Sequence, residues 1–223
     1  MHLPNGSQVF VEKTRGSAAI SVTKITNADN PVLTCAASPA HGLKAGNYVI
    51  ITSSNWAKLI NKVARVKSVS TSNTNEVTIE GFSTKDSKVY SGTGTGSIYK
   101  INDWIEIPCV QDLSQEGGEQ QFYTYQCLAD DREQQIPTYK SAVSLTYNFA
   151  HEYDNPIYPI LRAADESGEV KVMRMYVPKA KEMRIWSGTL SFNEIPQTAV
   201  NEMETVSLTV SLKGDFASMA ATA

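Results

Sequence analysis

Little in this chain of 223 residues is suited to chemistry on small molecules. Its three cysteines, Cys35, Cys109 and Cys127, are odd in number and lack CxxC spacing. That argues against a disulfide framework and against a zinc site, and buried free thiols are the plain reading. The three histidines, His2, His41 and His151, stand far apart, a spacing that suggests neither a metal cluster nor a triad. No stretch of about 18 apolar residues occurs, so no membrane-spanning helix is expected. The opening residues lack the basic and apolar stretches of a signal peptide, so the product is expected to start in a cytoplasm. There is no G-x-S-x-G elbow. Gly92, Gly94 and Gly96 resemble a phosphate loop only superficially, because no Lys-Ser/Thr pair and no helix follow; the segment 91–97 reads as a flexible loop before a strand at 98–101.

What the chain has is strand pattern. Hydrophobic residues make up 41% and charged residues 19%, enough to build a core and too apolar for disorder. Residues 205–212 alternate without a fault, placing Val206, Leu208, Val210 and Leu212 on one face and hydroxyl residues on the other. At about 1.5–3 kcal/mol per buried aliphatic side chain, that strand contributes at most about 6–12 kcal/mol. The polar face is uncharged and suits water or a second subunit. Segments 141–149, 169–177 and 184–192 read as further strands, and 122–128 carries Phe122, Tyr123 and Tyr125. One helix is expected after Asp154-Asn155-Pro156, an N-cap with proline at the first position, with Ile157, Ile160, Leu161 and Ala164 at helical spacing and Gly168 at the exit.

The net charge of −3 hides a split. Residues 1–101 hold 11 Lys+Arg against 5 Asp+Glu, and residues 102–223 hold 9 against 18. Two units are expected. Residues 17–101 read as a small β-barrel, with strands near 34–38, 47–52, 61–69 and 76–80. Residues 1–16 and 102–223 read as a β-sandwich, so the barrel is an insertion into the larger unit. Carboxylates cluster at Glu116, Glu119, Asp130, Asp131 and Glu133. Paired carboxylates can hydrolyse glycosides, and Tyr123 and Tyr125 share a strand face that could stack on a sugar, but solvated loop charge explains the cluster more simply. The larger unit is too acidic to hold phosphates. A basic patch on the barrel (Lys58, Lys62, Arg65, Lys67, Lys85 and Lys88) has few aromatic residues between its charges.

Certain segments resemble a known family. Ser191-Phe192-Asn193-Glu194-Ile195-Pro196, Ala199-Val200-Asn201-Glu202 and the strand ending Leu212-Lys213-Gly214-Asp215-Phe216 resemble the C-terminal signature of siphophage tail tube proteins. Trp104-Ile105-Glu106-Ile107-Pro108, Gln135-Ile136-Pro137 and the opening Leu3-Pro4-Asn5-Gly6-Ser7 are similar to earlier parts of that family. His41-Gly42-Leu43 followed by Gly46-Asn47-Tyr48-Val49 resembles a small β-barrel module of phage tail proteins, which more often has Asp where Asn47 stands.

The resemblance implies a mainly β tail tube fold with one flanking helix, and a structural virion protein rather than an enzyme, without cofactor or metal. It implies hexameric rings stacked into a tube assembled in the host cytoplasm. Its partners would be tape measure, tail terminator and tail tip proteins, with DNA passing through unbound. The five carboxylates become candidates for the bore or for contacts between rings. Leu3, Val9, Phe10 and Phe216 become candidates for arms between subunits. The basic insertion would lie outside, in weak contact with the host envelope. A tail-tip or receptor-binding protein, or the tube protein of a contractile tail or secretion system, is the alternative.

Overall fold

The computed structural model describes residues 5–37 and 40–221. Fifteen strands and one helix follow one another among them. They are β1 (Gln8–Arg15), β2 (Ile20–Ile25), β3 (Val32–Cys35), β4 (Tyr48–Ser54), β5 (Val63–Val69), β6 (Glu76–Glu80), β7 (Gly94–Ile107), β8 (Val110–Glu116), β9 (Gln120–Tyr125), β10 (Gln134–Lys140), β11 (Ser144–Ala150), α1 (Tyr158–Ser167), β12 (Val170–Val177), β13 (Glu182–Gln197), β14 (Thr205–Leu212) and β15 (Ala217–Ala220). The fold is mainly β, as the patterning predicts.

Six strands in the order β2-β3-β6-β5-β4-β7 close into a barrel, because β2 pairs with β7 as well as with β3. Its interior is filled by Val22, Leu33, Val49, Ile51, Leu59, Val77, Ile79 and Ile98, all nearly inaccessible to water. The glycine-rich segment is a loop only over residues 91–93; from Gly94 it opens β7, a strand of 14 residues that runs through the barrel and on into the larger unit. Gly92 takes a φ of 70° in the loop with open space around it, whereas Gly94 and Gly96 are there for contact. A Cβ on Gly94 would lie 2.6 Å from the Trp56 ring, and one on Gly96 would lie 2.2 Å from the Ser53 carbonyl oxygen. Two backbones approach closely there, and only glycine allows it.

The larger unit continues from the same strand. β7 pairs with β1, β1 with β12 and β12 with β13, all antiparallel. β13, 16 residues long, then pairs with β14 through its second half and with β15 through its first four residues. β14 pairs with β11, and β11 with β8. The two layers enclose a core of Val11, Tyr147, Phe149, Met173, Trp186, Leu208 and Val210, onto which α1 packs Leu161 and Ala164. β14 behaves as its alternation demands: Val206, Leu208 and Val210 are buried. Pro156 does not open the helix, which starts at Tyr158 with Ile157 as N-cap. Asp154 takes a φ of 63° and the Asn155 side-chain oxygen accepts the Ile157 N–H, so a tight turn consumes the residues expected to cap. Gly168, at φ 60°, closes the helix.

A third cluster joins barrel to sheet. Tyr48, Ile50 and Val63 from the barrel meet Ile101, Val172 and Ile185. Above it the Arg174 guanidinium lies over the rings of Trp104 (4.5 Å), Phe10 (4.7 Å) and Tyr48 (5.4 Å), cation–π contacts reaching across β12, β7, β1 and β4. Glu12, 1% exposed, takes Arg15 at 2.5 Å and the Val172 N–H at 3.0 Å, so its buried charge is paired. The Asn61-Lys62 turn of the barrel docks on the larger unit: the Ser187 hydroxyl donates to the Asn61 carbonyl, and Lys62 pairs with Asp215 at 2.6 Å.

Candidate assembly surfaces

The residues available to a partner lie where the larger sheet stops. β8 is bonded to β11 on one side and to no strand on the other among the described residues. Six of its seven residues are exposed. β12 covers β13 only as far as Thr189, so among the described residues no strand pairs with residues 190–197 on that side. A ladder ending this way presents a row of backbone donors and acceptors, a template for another chain.

The β9–β10 hairpin is a separate two-stranded sheet. Phe122, Tyr123, Leu128, Ile136 and Tyr139 are all at least half exposed on it. Tyr123 and Tyr125 stack with ring centres 6.4 Å apart, so the shared face expected of them exists. A lone hairpin is marginal in water, and apolar groups held out on one call for a surface to cover them. The chain also has an apolar cleft of about 710 Å³, lined in part by Leu113, Val143, Leu145, Trp186, Leu212 and Phe216.

The predicted carboxylates fall in two places. Glu116 ends β8, opposite Ser144. Glu119 sits in the turn into β9, where its N–H donates to the Ser141 hydroxyl. Asp130, Asp131 and Glu133 occupy the hairpin tip, and Asp130 accepts from the Gln134 side-chain amide at 3.2 Å. Leu3 lies outside the described residues. Val9 is 3% exposed inside the core, and Phe10 lies beneath Arg174. Phe216 is half exposed and stacks on Trp186 at 5.6 Å beside the cleft. His41 is a turn residue whose Nδ1 accepts the Leu43 N–H. His151 Nδ1 lies 2.9 Å from the Tyr158 hydroxyl. The unpaired side of β13 has no signal in the sequence, because it depends on where β12 ends and strand patterning does not record that.

Charge perturbations are local. The Arg162 guanidinium holds the Glu194 carboxyl below its ordinary range, and Arg184 does the same to Glu182. Burial alone raises the Tyr147 phenol, and it pushes the Cys35 thiol up to about 11.

Residues 54–221 match the model of a family described as phage tail tube protein. The match runs from the last residue of β4 through β15 and covers most of the chain. The chain therefore belongs to the phage tail tube protein family, a structural component of the virion tail. No curated protein matches its sequence.

Proposed function

We propose that this chain is the tube subunit of a long, non-contractile phage tail, closing into hexameric rings that stack into the conduit for the genome. One observation carries the reading: the larger sheet ends in unpaired backbone at β8 and along β13, next to a hairpin that holds apolar side chains out in water. Groups of this kind are satisfied when sister copies supply the missing strands. With the four strands β13, β14, β11 and β8 from each of six copies at ~4.8 Å spacing and a tilt near 40°, a closed wall is about 45–50 Å across between backbones.

The acidic balance of residues 102–223 supports a bore that repels phosphates and lets DNA slide. Residues 17–101 then form a barrel inserted between β1 and the rest of the tube unit. Its exposed Lys24, Lys44, Lys58, Lys67, Lys85 and Lys88 suit weak contact with an anionic envelope. The hairpin, with Glu119, Asp130, Asp131 and Glu133, reaches a neighbouring ring. Tape measure, terminator and tip proteins are the partners at the ends of such a tube, and catalysis plays no part.

Negative-stain microscopy of the purified protein tests this. Hollow tubes of stacked rings with six-fold end views are expected. A closed particle of fixed size would overturn the reading in favour of a tail-tip protein.

A further inference from the structure

The strands β13, β14, β11 and β8 have two unlike ends. At the end where β14 starts, the turn 198–204 joins it to β13. At the other end β14 stops at Leu212, near the end of β8 at Glu116 and the start of β11 at Ser144. The apolar cleft opens there, lined by Val143, Leu145 and Leu212 together with Met175, Trp186 and Phe216. Turn and cleft are a strand apart, roughly 25 Å for the eight residues of β14.

The first end projects and is apolar. The Glu202 N–H donates to the Ala199 carbonyl and Asn201 takes a φ of 64°, so residues 199–202 form a tight turn with Val200 and Asn201 at its apex. Val200 is 90% exposed, and Met203 beside it is 60% exposed. The Thr198 hydroxyl donates to the Glu204 carboxylate at 2.9 Å across the base, and the His151 N–H donates to the Glu204 carbonyl at 2.8 Å. A knob braced in this way has little freedom left to lose when it docks.

The second end is concave and unfinished. At about 710 Å³ the cleft has room for a turn of chain rather than for one side chain. The Tyr147 hydroxyl and the Trp186 indole N–H, both on lining residues, have no hydrogen-bond partner among the described residues. Phe216 stands half exposed beside them. Buried donors left unmet and an aromatic ring left in water mark packing that one copy does not complete. Charge agrees with the shapes. Lys213 at the cleft and Glu202 on the turn each lack an ion pair among the described residues.

A polar stack selects the occupant. When copies follow one another in the same orientation, whatever projects from one end meets the other end of the next. The β9–β10 hairpin springs from the cleft end, between Glu116 and Ser144, so stacking carries it away from the cleft. The turn 198–204 springs from the opposite end and is carried towards it.

Resting on the tube reading above, we propose that the 198–204 turn of a copy in one ring enters the cleft of a copy in the adjacent ring, with Val200 against Leu145, Leu212 and Phe216, and Glu202 facing Lys213. A projecting patch and a hollow one at opposite ends of the same strands make a heterologous contact that does not close, and so a filament. Each joint between rings then has two parts, the hairpin reaching one way and the turn reaching the other.

Val200→Asp tests the knob, because this side chain lies in water in a single copy and its replacement leaves the melting of that copy unchanged. The protein concentration needed for tubes is expected to rise about tenfold or more, read by sedimentation and negative-stain microscopy. Lys213→Glu and Glu202→Lys are each expected to weaken stacking, and the two together to restore it. A cross-link gives the direction. Val200→Cys with Phe216→Cys, in a Cys109→Ser, Cys127→Ser background, is expected on oxidation to give a reducible ladder that runs past the number of copies in one ring. A ladder that stops at the ring places the turn against a lateral neighbour and would overturn the joint. Tubes from Val200→Asp at the unaltered concentration would overturn it too, and either result leaves the tube reading standing. Absence of tubes from the unaltered protein would overturn both.

Discussion

In the barrel, β2 bonds to β3 on one side and β7 on the other, so no strand is left over. In the larger unit, β8 and the second half of β13 each have one side on which no strand pairs among the described residues. The two units share a strand, β7, and are built from similar alternating sequences, yet one satisfies its own backbone and the other does not. The difference teaches where stability and assembly reside. A closed barrel has no use for a partner, whereas an open sheet is half of an interface.

Proline separates the two most sharply. Thr34→Pro in β3 sits between two bonded neighbours and is expected to unfold the barrel, seen as loss of a cooperative thermal transition. Ser114→Pro in β8 is expected to abolish tubes while shifting the melting of the single copy by no more than a few degrees, measured by sedimentation and calorimetry. Equal damage from both would break the comparison. Next in size are the cores. Leu33→Ala in the barrel and Leu208→Ala in the sandwich each leave a void at a fully buried position, with an expected cost of about 2–5 kcal/mol in urea titration.

Gly94→Ala drives a methyl into the Trp56 ring, at an expected cost of about 1–3 kcal/mol, because the indole is itself fixed by donation to the Ser91 carbonyl. Thiol labelling sharpens the contrast at smaller scale. At pH 8, Cys109 and Cys127 are expected to react promptly and Cys35 not until the barrel opens, since it is buried and its thiol is raised to about 11. The smallest effect is in acid. Lys171 lowers the Glu169 carboxyl in the folded chain, so its contribution to stability is present above the ordinary carboxylate range and is lost as pH falls through the lowered value. Glu169→Gln is expected to flatten that part of the pH–stability curve slightly.

How much of this was legible in the sequence varied with the physics involved. Strand β14 was read to the residue because one of its faces is core and the other is not, and period 2 records that directly. The Gly168 exit of α1 was equally plain. The helix start at Tyr158 is not legible, because Asp154 and Asn155 form turns as readily as caps, and only packing decides. In the glycine run, loop at 91–93 and strand from Gly94 are not separable by residue type, because close backbone approach and flexibility ask for the same residue. Of the assembly surfaces, the apolar hairpin could be seen as aromatic residues at 122, 123 and 125, and the carboxylates as a cluster. The unpaired flank of β13 could not, since it is set by the length of a neighbour 20 residues away in the ladder rather than by its own side chains.

The central claim is that backbone left bare by one copy is filled by another. Sedimentation velocity of the unaltered protein across a wide concentration range, run beside Ser114→Pro, tests it most directly. Mass that grows with concentration for the unaltered chain, and a single-copy species throughout for the variant, is the predicted result. A single-copy species for both at every concentration would contradict it.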